Sequence, residues 1–177
     1  MVALAVGVLA VSLLAPDVAY AASNRTPVNC ADIAMTFDAQ GYDVACDSAS
    51  EMLADLDGTM ASQHLEATAG DSSSFIDAFH YSFLGQVTYT ATDLRSNFES
   101  LYGKLDFKDW HSGRTMANLA TAEFKADMRG LPSNCVAFQK LGHPQWGGYK
   151  KIMVGIACSQ ENIDQAYAVL KRLYLPN

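Results

Sequence analysis

Lysine and arginine are scarce in the first half of this sequence. Between Thr26 and Leu94 there are eleven acidic residues and neither lysine nor arginine, and the chain of 177 residues has a formal net charge of −7. Binding to nucleic acid requires a basic surface that neutralises phosphates, so we expect no nucleic-acid partner. From Arg95 onward there are eleven basic and seven acidic residues. The two halves either complement each other within one domain or leave an acidic surface that attracts a basic partner or loosely binds Ca²⁺.

Short catalytic and metal-binding motifs are also missing. The four cysteines include no C-x-x-C pair of a zinc site, and the four histidines form neither H-x-x-x-H nor H-E-x-x-H. There is no G-x-S-x-G nucleophile elbow and no glycine-rich phosphate loop. We therefore expect no cofactor and no metal. Because catalytic triads form in space rather than in sequence, a small secreted hydrolase with an unrecognised Ser/His/Asp or acidic site stays open as an alternative.

Long hydrophobic runs are absent except near Met1. The apolar run Val2–Leu14 is too short to cross a membrane, and the A-x-A pattern Ala19–Ala21 follows it. This order is typical of a secretory signal peptide. We predict a signal peptide at residues 1–21 and a single α+β domain at residues 22–177, exported to the periplasm or the extracellular space and without a membrane span. Since no lysine or arginine precedes Arg25, we expect either that the true start lies upstream or that the sequence is a fragment.

The four cysteines indicate two disulfides in an exported chain, and three pairings are possible. The stretch Asn134–Ser159 favours one of them. Two runs rich in β-formers flank the turn-rich segment GHPQWGG, and each run has a cysteine at its far end. A hairpin that places Cys135 opposite Cys158 leaves Cys30 to pair with Cys46.

The same hairpin register groups apolar residues. With the two cysteines opposed, three further pairs share their sheet face: Ala137–Ile156, Gln139–Val154 and Leu141–Ile152. On the other face Phe138 lies opposite Gly155, where its ring can cover the missing side chain. A register chosen from the cysteines alone therefore agrees with the hydrophobic pattern.

Periodicity and turn residues predict the remaining elements. We expect helices at Asn29–Gly41, Thr92–Gly103 and Asn162–Leu173, and strands at Tyr42–Cys46, Phe75–Tyr81, Gln86–Thr90 and Leu119–Met128. Asp47–Gly70 is ambiguous, with Met60–Thr68 as an optional strand. The predicted fold class is α+β: an antiparallel β-sheet with a C-terminal three-strand meander, packed by helices, in a disulfide-braced sandwich.

The string D-L-D-G-T, Asp55–Thr59, resembles the first motif of the haloacid-dehalogenase-like phosphatases. The resemblance implies that Asp55 attacks phosphate, that Asp57 protonates the leaving group and that the motif ends a buried parallel strand. Ser48–Ala54 lacks the pattern of such a strand, and no parallel βαβ succession follows it.

The segment from Asp55 to Glu66 also partly fits a calcium loop. Met60 occupies the position that needs glycine for a sharp turn, and the flanking sequence does not clearly predict helices. We therefore favour a plain turn at Asp57-Gly58.

The hairpin loop 143–149 is the predicted working surface. We select His143, Trp146, Tyr149 and Lys150 as binding residues, because a loop on a rigid scaffold that exposes aromatic side chains is typical of recognition sites. Lys150 and Lys151 give the base of the loop a positive rim, which favours an acidic partner or a carboxylate ligand. The predicted function is that of an exported, non-catalytic binding protein whose partner is a protein or a small ligand.

Overall fold

The computed structural model describes residues 25–53, 57–90, 93–102, 107–116, 118–145 and 147–175. The predicted signal peptide lies outside these ranges, as do Asp55, Thr92, Gly103 and Trp146. None of the helices in the described ranges has the length and apolarity that crossing a membrane requires.

The described chain is mainly β, with two short α-helices and a 3₁₀ turn at Cys30–Asp32. The elements are β1 Thr26–Pro27, β2 Thr36–Phe37, β3 Tyr42–Leu53, β4 Gly58–Ala69, β5 Ser74–Gly85, α1 Leu94–Tyr102, β6 Lys108–Ser112, β7 Ala120–Met128, β8 Leu131–Leu141, β9 Pro144–Gln145, β10 Gly148–Tyr149, β11 Lys151–Ser159, α2 Ile163–Leu170 and β12 Leu173–Tyr174. Eight strands form one antiparallel sheet in the order β1-β3-β4-β5-β11-β8-β7-β6. The pairs β9–β10 and β2–β12 are small separate ladders.

The predicted register of the β8–β11 hairpin is confirmed. Cys135 lies opposite Cys158, and the pairs Ala137–Ile156, Gln139–Val154 and Leu141–Ile152 follow in step. Both disulfides, Cys30–Cys46 and Cys135–Cys158, form as predicted. The ring of Phe138 fills the space above Gly155, where an added Cβ would meet its Cζ at 2.6 Å.

Helices cover the two faces of the sheet unevenly. On the face that we call the α2 face, buried residues of α2 such as Tyr167 and Leu170 pack against Val136, Phe138 and Met153. On the opposite face, the α1 face, Phe98 of α1 packs against β7, β8 and β11. Strand side chains alternate between the two faces, so each strand supplies both cores.

The helix predicted at Asn29–Gly41 is wrong. Asn29 does cap a turn, since its side chain accepts from the Ala31 N–H, but only the 3₁₀ turn Cys30–Asp32 follows. Ile33 and Met35 are then buried along a segment that leads into β2. The reason is periodicity: apolar residues at 33, 35 and 37 alternate with a period of two, which fits an extended chain rather than a helix.

Strands in the first half are longer than predicted. The ambiguous segment Asp47–Gly70 forms most of β3 and β4, so the strand option for Met60–Thr68 is confirmed. The strand predicted at Phe75–Tyr81 continues to Gly85. The separate strand predicted at Gln86–Thr90 is wrong, because among these residues only Tyr89 makes a β-bridge, to Tyr149.

The helix boundaries differ from prediction by a few residues. Asp93 caps α1, since its carboxylate accepts from the Ser96 N–H before α1 begins at Leu94. Asn162 lies just before α2 and caps it, since its side chain accepts from the Gln165 N–H. Leu173 is not helical, because its backbone pairs with Phe37 in the β2–β12 ladder.

Asp57 and Gly58 turn the chain between β3 and β4. Asp57 has φ of 48°, and Gly58 pairs with Leu53 in an antiparallel ladder. The parallel-strand context that the phosphatase resemblance implies is therefore wrong. The calcium-loop interpretation is wrong as well, since residues 58–66 lie on β4 and the described residues on either side of them form strands, not helices.

Candidate functional site

The predicted binding loop is tied to the neighbouring segment 85–90. Tyr149 exchanges two backbone hydrogen bonds of 2.9 Å with Tyr89. The Lys150 ammonium donates to the carbonyl oxygens of Gly85 and Val87, both at 2.6 Å. The base of the loop is thus held in place, which reduces the conformational entropy that binding would cost.

A cavity of about 640 Å³ lies beside this loop. Its lining residues are His80, Asn118, Lys140, Leu141, Gly142, His143, Gln145, Lys150, Lys151, Ile152 and Met153. Of the predicted site residues, the cavity brings together His143 and Lys150, and it does not include Tyr149. Trp146 lies outside the described residues, so its place is a prediction from the sequence alone.

The cavity lining is basic. In the described part of the chain it contains three lysines and two histidines, and neither aspartate nor glutamate. All five arginines of the protein, by contrast, have carboxylate partners: Arg25–Asp47, Arg95–Glu99, Arg114–Asp164, Arg129–Glu66 and Arg172–Asp38. Lys150 and Lys151 make no ion pair with any carboxylate that the structure describes. The positive charges of Lys150 and Lys151 therefore lie at the cavity without a carboxylate counter-charge among the described residues.

His80 forms part of the cavity wall and is only 6% exposed. Its Nδ1 lies 3.3 Å from the Gln63 side-chain oxygen, which also accepts from the Ala34 N–H at 2.9 Å. Burial, followed by the charge of Lys151, lowers the pKa of His80 below its ordinary value. His80 is therefore a buried, hydrogen-bonded histidine that borders the basic cavity.

The sequence did not point to His80, Lys140 or Asn118 as cavity residues. Lys140 lies opposite Met153, and Met153 lies opposite His80 on its other side. The first pairing follows from the predicted hairpin, but the second needs the pairing of β5 with β11, for which no signal was found. The sequence did contain one relevant signal: positions 76, 78 and 80 alternate along one strand, which places His80 on the same face as the two apolar residues.

A second cavity of about 460 Å³ lies at the opposite end of the sheet. Its polar groups largely satisfy one another. The Asp71 carboxylate accepts from the Ser73 hydroxyl at 2.7 Å, the Tyr42 and Ser74 hydroxyls are 2.8 Å apart, and the Ser159 hydroxyl accepts from the Glu161 N–H at 3.1 Å. This cavity therefore offers fewer unsatisfied groups to a ligand.

A cluster of matched charges lies on the α1 face, and we call it the carboxylate–histidine cluster: Asp47, His64 and Asp77. His64 Nδ1 is 3.0 Å from an Asp47 oxygen, and His64 Nε2 is 2.8 Å from an Asp77 oxygen. Arg25 pairs with Asp47 from the other side. Two positive groups thus face two carboxylates, so the cluster compensates its own charge when His64 is protonated.

The pKa of His64 reflects this setting. Burial alone would lower it, but the hydrogen bonds and charges of Asp77 and then Asp47 prevail and raise the pKa above its ordinary value. Because carboxylates occupy both ring nitrogens, His64 has none left to activate a serine or water nucleophile. In the described residues, no group of three or more His, Cys, Asp or Glu side chains could hold a metal ion.

Compared with models of protein families, with curated proteins and with solved structures, the chain matches none.

Proposed function

We propose that this chain is an exported, non-catalytic binding protein whose ligand-binding site is the basic cavity together with loop 143–149. The observation that carries the proposal is the position of His143 and Lys150: residues selected from the sequence as a binding loop border the larger of the two cavities described above. A cavity of this volume falls within the range of small-molecule sites.

The scaffold supports the proposal. Two disulfides are typical of exported proteins. The disulfide Cys135–Cys158 closes one end of the β8–β11 hairpin, and the cavity lies at the other end, near Leu141 and Ile152. A loop at the free end of a braced hairpin can vary without disrupting the sheet.

The alternative, a small secreted hydrolase, has less support. The contacts that the structure shows for histidine rings go to carboxylates, to the Gln63 amide and to a backbone carbonyl, and none of those in the described residues goes to a hydroxyl. A hydrolase would be favoured if turnover of an ester, phosphate, peptide or glycoside substrate were abolished by a single substitution of His64 or His80.

The test is a thermal-shift screen of the oxidised, processed protein against small molecules of positive, neutral and negative charge. A ligand of the cavity should raise Tm with concentration, because it binds only the folded state. His143→Ala should reduce that shift. His111→Ala is the matched control, since His111 is exposed and lies outside the cavity. Ligands that respond equally to both variants, or to neither, would contradict the proposed site.

A further inference from the structure

The charge balance of the cavity limits what it can bind. The protein as a whole is acidic, with a formal net charge of −7, yet Lys151 is exposed on the cavity wall and pairs with no carboxylate in the described residues. The two hydrogen bonds of the Lys150 ammonium go to carbonyl oxygens, which carry no formal charge. Cations and neutral polar molecules would therefore gain little here compared with an anion.

The basic groups converge on one place because of strand register. Lys140 on β8, Met153 on β11 and His80 on β5 lie in one cross-strand row. Lys151 occupies the next position on the same face, since strand side chains alternate. Adjacent strands are about 4.8 Å apart, so Lys140 and His80 start about 10 Å apart. The long Lys151 side chain can therefore reach a single anionic headgroup placed beside this row.

An apolar surface adjoins these charges on the same face. Met52 and Leu84 lie on either side of Thr59 in one cross-strand row. Met52 is 79% exposed and Leu84 is 60% exposed. Leu84 is two residues along β5 from Ser82, which lies opposite Lys151. Exposed apolar side chains next to a basic cavity can contact an apolar group that is attached to the anion.

We infer that the cavity binds an amphipathic anion: a small molecule with a single carboxylate or phosphate headgroup near Lys151 and an apolar body that extends from there toward Leu84. This inference rests on the proposed function and names its ligand class. Burial is the main cause of the lowered pKa of His80, and the nearby charge of Lys151 adds to it.

The test is isothermal titration of the oxidised, processed protein at low salt with four probes: octanoate, octyl phosphate, octanol and acetate. We expect octanoate or octyl phosphate to bind about tenfold tighter than octanol, since a charge-assisted contact is commonly worth that much. Acetate should bind more weakly than octanoate because it lacks the apolar body. The tighter of the two anionic probes assigns the headgroup.

Two variants locate the site. Lys151→Gln should weaken binding of the anionic probe about tenfold and leave octanol binding unchanged. Lys171→Gln removes an exposed lysine that does not line the cavity, and it should have no effect. Leu84→Ser should weaken octanoate more than acetate, which separates the apolar contribution from the charge.

Several outcomes would overturn the inference: no binding by either anionic probe, octanol binding as tight as octanoate, or equal losses in Lys151→Gln and Lys171→Gln. The proposed function can hold even if this ligand class is wrong. A neutral ligand whose thermal shift is reduced by His143→Ala would refute the amphipathic anion and retain the binding site. If no molecule in the screen responds to His143→Ala, both proposals fail.

Discussion

The two faces of strands β4 and β5 carry polar regions of opposite design. On the α1 face, His64 is held between the carboxylates of Asp47 and Asp77, so its charge is matched. On the α2 face, His80 borders a cavity in which Lys150 and Lys151 pair with no carboxylate of the described residues. We infer that the two sets of charges have different roles. The matched charges stabilise the sheet, and the unmatched charges can contact a ligand.

The pKa values of the two histidines are shifted in opposite directions. Carboxylates raise the pKa of His64 despite its burial. Burial and then Lys151 lower the pKa of His80. Carboxylates thus decide the direction for His64, whereas burial is the main cause for His80 and Lys151 adds to it.

The largest expected effect is a loss of stability when the disulfide at one end of the β8–β11 hairpin is removed, with no change in binding at the cavity end. Replacing Cys135 and Cys158 together by alanine removes a cross-link over 23 residues, and should lower the free energy of unfolding by about 3 kcal/mol. Chemical denaturation measures this loss. Binding of octanoate at a temperature where the variant is fully folded should be unchanged. A parallel loss of binding would show that the two ends are coupled and would weaken the comparison.

Removal of the matched charge should have the next largest effect. His64→Gln leaves two partly buried carboxylates without a positive partner between them, and should cost about 2 kcal/mol at pH 6. Lys151→Gln is the control on the other face, and should change stability by less than about 0.5 kcal/mol. Equal costs in the two variants, measured by urea denaturation, would contradict the division between stabilising and binding charges.

A smaller effect concerns pH, and its sign differs between the histidines. The stabilisation that wild-type His64 provides relative to His64→Gln should be complete below pH 6.5 and disappear as pH rises through its raised pKa. His80 behaves in the opposite way. Its contribution relative to His80→Gln should be present above pH 6.5 and decline as pH falls toward its lowered pKa. The same slope for both variants in denaturation curves from pH 5 to pH 8 would be inconsistent with the assignment.

The sequence was informative where two independent patterns agreed. In the β8–β11 hairpin, cysteine positions and alternating apolar residues indicate one register, and that register gives the disulfides and the position of the binding loop. The segment 29–41 shows the opposite case. A good N-cap at Asn29 suggested a helix, while the alternation of Ile33 and Met35 indicated an extended chain, and the alternation prevailed.

The carboxylate–histidine cluster could not be predicted from the sequence. Asp47, His64 and Asp77 lie on three different strands, and no short motif links them. To predict that these side chains meet, one must know that β3 and β4 form a hairpin that turns at Asp57-Gly58. That hairpin sets Asp47 opposite His64. Without that register, the spacing of Met52 and Met60 made a helix an equally good prediction for this segment. The basic cavity needed the pairing of β5 with β11 for the same reason.

The central claim, that the α1 face is charge-matched and the cavity is not, is tested most directly by NMR titration of the two histidine rings with and without octanoate. We predict that His64 titrates above 6.5 in both conditions, whereas His80 titrates below 6.5 and its pKa rises when octanoate binds. A His80 that titrates above 6.5 without ligand, or whose pKa does not change at saturating octanoate, would contradict the account.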